Sequence, residues 1–229
     1  MTEFAIAPWQ PPAVPVAGSS KLFPVRHIYC VGRNYAEHAR EMGRDPEREP
    51  PFFFTKAPDS IVPGGGRVPY PPRTANMHHE IELVAAIGTG GAGIRAADAR
   101  GHVFGYAIGV DLTRRDLQLA ARDLGRPWDT GKQFDNAAPI GAIHPVGAVG
   151  HPARGRITFA VNGTLRQQGD LGDMIWSTEE IIAELSTLYE LKPGDLVFTG
   201  TPAGVGAMAP GDVGEGEIEG LDRITIEIV

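Results

Sequence analysis

Apolar and polar positions along this chain change period several times, and each change marks an element. The run from Val25 through Val31 is mostly apolar and stops at Gly32, which predicts a strand; the following Tyr35 to Met42 reads as a short helix ending at Gly43. Phe52 to Phe54 is a short aromatic strand between proline and glycine clusters. At His78 to Ile87 the pattern alternates at its start, which puts Glu80 and Glu82 on one strand face and Ile81 and Leu83 on the other. A helix is expected over Ile94 to Arg100. A buried strand then ends at Asp111, and an amphipathic helix runs on to Gly125. Beyond Ala137 to Ile143, read as a strand, Asn162-Gly163 between two alternating runs predicts a tight hairpin. A helix over Ser177 to Leu188 follows, with Ser177 or Thr178 as its N-cap and Glu179-Glu180 in its first turn. The chain closes on short strands ending at DRITIEIV.

Composition sharpens that outline. The 229 residues carry 30 glycines and 20 prolines with no collagen-like period, so many short elements are joined by tight turns, as in β-rich folds. One core is expected. Residues 1–20, rich in proline, read as an extended N-terminal arm or poorly ordered tail, and residues 21–229 as a single domain. A net charge of -7 without a basic stripe argues against nucleic acid, and no apolar run is long enough to span a bilayer. Without a basic, then apolar, leader pattern, the expected location is cytoplasmic. The lone Cys30 sits in an apolar strand and reads as a buried structural thiol.

Candidate chemistry lies in the acidic positions. Glu80 and Glu82 on one strand face repel unless a cation lies between them or the face is solvated, and Asp111 ends a second apolar strand. Oxygen-only donors suit a hard cation such as Mg²⁺, Mn²⁺ or Ca²⁺; the alternative is a solvated sheet face. His38 and Glu41 share a helix face, either as a surface pair or as a dyad in which the carboxylate orients the imidazole. His78 and His79 read as surface residues or as neighbours of the acidic cluster. Lys132 by pattern alone reads as a surface lysine. The loop Thr199 to Gly206 fits neither a Walker nor a dinucleotide fingerprint; its N–H groups and the Thr201 hydroxyl can cradle a carboxylate, or it is an ordinary connection.

Seven blocks in order, VGRNYAEHAREMG, PFFFTKAPDSIVPGG, NMHHEIELVAAIG, GYAIGVDLTRRDLQ, GRPWDTGKQFDNAAPIG, VNGTLRQQGDLGDMIW and GDLVFTGTPAGVG, resemble the fumarylacetoacetate hydrolase family from about Ile28 to the C-terminus. The resemblance implies a mixed β-roll or sandwich with few helices (an α+β fold that is mainly β), a homodimer, and Mg²⁺ or Mn²⁺ held by Glu80, Glu82 and Asp111. It further implies that His38 and Glu41 activate water and that Lys132 contacts substrate or an oxygen on the ion. Gln118 and Thr201, with Arg33 nearby, fall at the family's substrate-carboxylate contacts. Within the family, the short chain and the PFFFTK and HHEIELVAAIG blocks are most similar to the acylpyruvate hydrolases. The expected reaction is hydrolysis of the C–C bond of a 2,4-dioxo acid, fumarylpyruvate foremost, as in aromatic (gentisate) degradation. Decarboxylation of oxaloacetate, or tautomerisation of a 2-oxo acid, on the same scaffold is the alternative. A non-catalytic Ca²⁺ protein is a more distant one.

Overall fold

The computed structural model describes residues 3–41 and 49–229. The protein is 38 % strand and 20 % helix, mainly β as expected, and its largest sheet curls into a half-barrel. Among the described residues that sheet has eight strands. Its path runs Phe52–Lys56, Ile28–Gly32, Leu196–Phe198, Ile81–Ile87, Val103–Val110, Ala138–Ile140 and Ile61–Pro63, with His144–Pro145 also pairing to Val103–Val110. A second sheet orders Thr164–Asp170, Arg156–Val161, Val213–Ile218, Ile224–Ile228 and Gly65–Val68.

The central pair is antiparallel, with Ile81 opposite Val110 and Glu82 opposite Gly109. Alternation therefore carries Ile81, Leu83 and Ala85 into one core, with Phe159 and Ile226 of the second sheet, and Val84 and Ala86 into another, with Ile28, Cys30 and Phe198. The Ile81–Ile87 strand is buried at every position. The sheet is thus covered on both faces, which explains why the alternation at Glu80 to Leu83 gives way to a continuous apolar run.

The hairpin forms as expected: Arg156–Val161 pairs with Thr164–Asp170, and Asn162 and Gly163 both take positive φ (52° and 73°), as a type I′ turn requires. The helix at Thr178–Leu188 is capped by Ser177, whose hydroxyl accepts from the Glu180 N–H while the Glu180 carboxylate accepts from the Ser177 N–H. The amphipathic helix spans Arg115–Asp123, after a two-residue strand at Thr113–Arg114. The early helix is present as Ala36–Glu41; its expected end at Met42 and Gly43 lies outside the described residues.

Two expectations on elements need revision. Ile94 to Arg100 forms no α-helix; turns lead into a 3₁₀ helix at Ala99–His102. Seven residues, stopped by Gly101, repay too little of the nucleation cost without a broad apolar face to pack. The strand expected over Ala137 to Ile143 is confined to Ala138–Ile140. Within the N-terminal stretch one extended segment is paired. Ala13–Pro15 pairs with Leu22–Pro24, and Val14 and Val16 enter the second core, while Phe4, Ile6 and Trp9 stay exposed.

Candidate metal centre and active site

The register of the central hairpin assembles the acidic cluster. Asp111 follows the Val103–Val110 strand, and its N–H donates to the Glu80 carbonyl (2.8 Å), so Glu80, Glu82 and Asp111 project from the same face at one end of the pair. One carboxylate oxygen from each lies within 4.8 Å of the others, and all three residues are buried. Gly109, opposite Glu82, cannot carry a side chain there, because a Cβ would stand 2.5 Å from the Phe198 ring and 2.6 Å from Val84.

Among the described residues, three cations surround the cluster. Lys132, 2 % exposed, bridges two of its members: its ammonium donates to Glu80 Oε2 (2.7 Å), Asp111 Oδ2 (2.6 Å) and Thr113 Oγ1 (2.8 Å). This lysine is no surface residue. The Asp129–Lys132 turn is carried against the Arg115–Asp123 helix by Gly131, where a Cβ would fall 2.8 Å from the Gln118 backbone. Lys56 Nζ stands 2.7 Å from Asp111 Oδ1, in ion-pair contact but off the hydrogen-bond direction, and donates to the Leu112 carbonyl at 3.0 Å. Arg115 pairs with the other Glu80 oxygen and donates to Gln118 Oε1.

Charge is therefore unevenly answered. Burial pushes the Glu80 carboxyl up, but Lys132 and Arg115 outweigh it and hold the group well below the usual carboxylate range. Glu82 has no ion pair among the described residues; burial, then Asp111 and Glu80, drive it well above that range, against the nearby charge of Lys132 and one hydrogen bond from the Gly200 N–H (2.7 Å). A buried carboxylate short of positive charge, beside two more at coordinating distance, fits a hard divalent cation with oxygen donors. The lysine ammonium already bridging Glu80 and Asp111 shows that the site demands cationic charge there.

His38 faces this cluster with Glu41 beside it. His38 Nδ1 lies 3.1 Å from Glu41 Oε2, and His38 lines the same small recess of about 40 Å³ as Glu80, Glu82, Asp111 and Lys132. With Nδ1 turned to the carboxylate, Nε2 is the nitrogen left for chemistry. Glu41 is itself held: the Gly204 N–H donates to both of its oxygens (3.1 and 3.2 Å). Burial raises its pKa, and the hydrogen bonds from His38 and Gly204 more than reverse this, so the carboxyl lies below its ordinary value. The glycine-rich loop thus cradles carboxylates, but they are the protein's own: Gly200 serves Glu82 and Gly204 serves Glu41. Asn34 ties that loop to the segment before His38, donating to the carbonyls of Thr199 and Trp176 (2.8 Å each).

Gln118, Thr201 and Arg33 also line the recess. Gln118 Oε1 is taken by Arg115, which leaves its amide N–H groups to donate. The Thr201 hydroxyl is engaged in the framework, donating to the Ile81 carbonyl (2.7 Å) and accepting from Gln167 (2.8 Å). Arg33 adopts φ 60° and sets its guanidinium 5.2 Å from the Phe52 ring. His79 and His78 stand behind the cluster. His79 Nδ1 is 2.8 Å from Gln167 Oε1, and burial followed by Arg115 holds His78 down to about 4.

Lys56, Arg115 and Gln167 were not singled out from the sequence. A faint signal existed for two of them: Lys56 shares strand parity with Phe52 and Phe54 while Thr55 is exposed, and Arg115 lies three residues before Gln118 on one helix face. Gln167 lies in a hairpin strand of mostly polar residues, with no local mark of its burial.

Fumarylpyruvate hydrolase from Ralstonia sp. is 48 % identical over 189 residues, covering 82 % of this chain and 98 % of that protein. Human mitochondrial oxaloacetate tautomerase FAHD1 is 37 % identical over 203 residues, covering 89 % and 91 %. The crystal structure of fumarylpyruvate hydrolase from Pseudomonas aeruginosa in complex with Mn²⁺ and pyruvate superposes with a TM-score of 0.97 at 52 % identity, covering 99 % of each chain. Residues 27–229 match the profile of the fumarylacetoacetate (FAA) hydrolase C-terminal domain, and the chain belongs to the fumarylacetoacetate hydrolase family.

Proposed function

We propose that this protein is a divalent-metal-dependent hydrolase that cleaves the C–C bond of an acylpyruvate, with fumarylpyruvate, giving fumarate and pyruvate, as its substrate in aromatic (gentisate) breakdown. The observation that carries the reading is one recess in which the Glu80, Glu82 and Asp111 cluster shares its lining with His38, whose Nδ1 lies on Glu41. Glu80, Glu82 and Asp111 would hold Mg²⁺ or Mn²⁺, which when bound supplies Lewis acidity toward the 2-oxo acid end of the substrate. His38, with Nδ1 on Glu41, presents Nε2 to a water and takes its proton as that water attacks the 4-oxo carbon; Glu41 stabilises the imidazolium that forms. Lys132 steadies oxyanion charge, and the Gln118 amide and Arg115 hold the substrate carboxylate. The C3–C4 bond then breaks, the proton held by His38 passes to the pyruvate carbon, and the acyl part leaves as a carboxylic acid.

The same reading carries a homodimeric assembly and a cytoplasmic location; no described helix is long and apolar enough to cross a membrane. The resemblance to an oxaloacetate tautomerase supports a second reading, enol–keto interconversion of oxaloacetate, which needs no water as reactant. Purified protein with Mg²⁺ or Mn²⁺ is to be assayed against fumarylpyruvate, maleylpyruvate, acetylpyruvate and oxaloacetate. Pyruvate release from fumarylpyruvate should lead the ranking; oxaloacetate tautomerisation or CO₂ release far above any acylpyruvate hydrolysis refutes the proposal. His38→Ala should abolish turnover while Mn²⁺ still binds, and undiminished hydrolysis removes the dyad from the mechanism.

A further inference from the structure

The recess over the carboxylates is small, about 40 Å³, and cannot by itself take a four-carbon acyl chain beside the 2-oxo acid end. Beside it lies a second recess of about 540 Å³, with Arg33, Phe54, Arg122, Trp128 and Lys132 lining both. That volume lies within the range of small-molecule sites, about 300–1,000 Å³. One wall is a chain of rings: Phe52 meets Trp128 edge-on at 5.2 Å, Phe54 lies 5.9 Å from Trp128, and Lys132 Nζ sits 4.9 Å from the Phe54 ring. Such a wall suits a flat, unsaturated chain.

The rest of the lining is basic. Among the described residues, Arg33, Arg122, Arg126 and Lys132 line it together with one acid, Asp129. Lys132 is committed to Glu80 and Asp111, so the guanidinium groups set the charge at the far end. Arg126 makes no ion pair among the described residues. Arg122, a third exposed, hydrogen-bonds among the described residues to its exposed chain neighbour Asp123, through Nε and Nη2 (3.0 and 2.9 Å), which leaves Nη1 to donate elsewhere. Arg33 holds its left-handed backbone conformation at the seam between the two recesses, with its guanidinium near Phe52. Guanidinium groups placed this way recognise a carboxylate.

We infer that the second recess is the acyl subsite and that Arg122 and Arg126, with Arg33 at the seam, select an acyl group ending in its own carboxylate, so that the substrate is a dianion charged at both ends. This rests on the hydrolase reading above and narrows it, because a neutral acyl group such as acetyl would leave Arg122 and Arg126 unanswered. The test uses the Mn²⁺-loaded protein and the double variant R122Q/R126Q. The ratio of kcat/KM for fumarylpyruvate over acetylpyruvate should fall about tenfold or more in the variant, mainly through KM. Calorimetry supplies a readout that needs no turnover. Fumarate and crotonate share a trans four-carbon chain and differ by a carboxylate against a methyl; fumarate should bind the parent protein more tightly, with the advantage lost in the variant and reduced by salt. An unchanged selectivity ratio, or equal binding of fumarate and crotonate by the parent protein, overturns the subsite. If no acylpyruvate is hydrolysed, the hydrolase reading falls, and the two binding constants still decide the subsite.

Discussion

Lys56→Met removes one buried charge at nearly constant side-chain length. Both Lys56 and Asp111 have fully buried side chains, with 2.7 Å between Nζ and Oδ1, and the same ammonium donates to the Leu112 carbonyl. Breaking a buried ion pair by deleting one partner costs about 3–5 kcal/mol, since the remaining charge is left in a poorly polarisable interior. Asp111 keeps Lys132 at 2.6 Å, so the low end, about 3 kcal/mol, is expected. For a chain of this size that lowers the melting temperature by roughly 6–12 °C. The loss should depend on metal. In EDTA, Lys132 alone answers Asp111; with saturating Mn²⁺ a divalent charge beside the same carboxylate makes up much of the deficit, and the difference between parent and variant should shrink to less than half. Thermal unfolding followed by circular dichroism, in EDTA and in Mn²⁺, measures both numbers. A change within about 1 °C in EDTA would show that the pair contributes nothing net. An equal loss in both buffers would show that the metal charge does not act at Asp111.

Two further substitutions probe the site. Glu41→Gln should lower kcat by roughly 100-fold or more, because His38 loses the carboxylate that orients it. The Glu41 carboxyl is held below its ordinary pKa, so the stability it contributes is present above the unfolded value of about 4.3 and is lost as pH falls through the lower folded value. The difference in melting temperature between parent and variant should therefore be constant from neutral pH to about 5 and vanish in stronger acid; a difference that grows on acidification contradicts the direction of the shift. Gly131→Ala places a Cβ 2.8 Å from the Gln118 backbone and should cost about 1–3 kcal/mol by denaturant unfolding. Since the same contact carries Lys132 to the cluster, kcat/KM should fall too, and full activity in a destabilised variant would separate Gly131 from the site.

Much of this protein was legible locally. Strand alternation placed Glu80 and Glu82 on one face, Asn162-Gly163 marked its turn, and Ser177 and Glu180 marked a helix start, because side-chain period, turn chemistry and capping are properties of a few adjacent residues. The ordered motif blocks added the family. The failures were equally local in origin: the alanines and arginines of residues 94–100 look helical, yet the segment is too short to hold a helix and leads into a short 3₁₀ turn. Lys132 read as a surface lysine because nothing within ten residues of it reveals the carboxylates it meets at Glu80 and Asp111. Tertiary structure alone decided that the central sheet is covered on both faces, that Lys56, Lys132 and Arg115 converge on three acids, and that the glycine-rich loop holds Glu41 and Glu82. Each of these depends on chain segments tens of residues apart. Their proximity comes from strand pairing and core burial, so the acidic positions could be read from the sequence, while the charges that answer them became visible only in the fold.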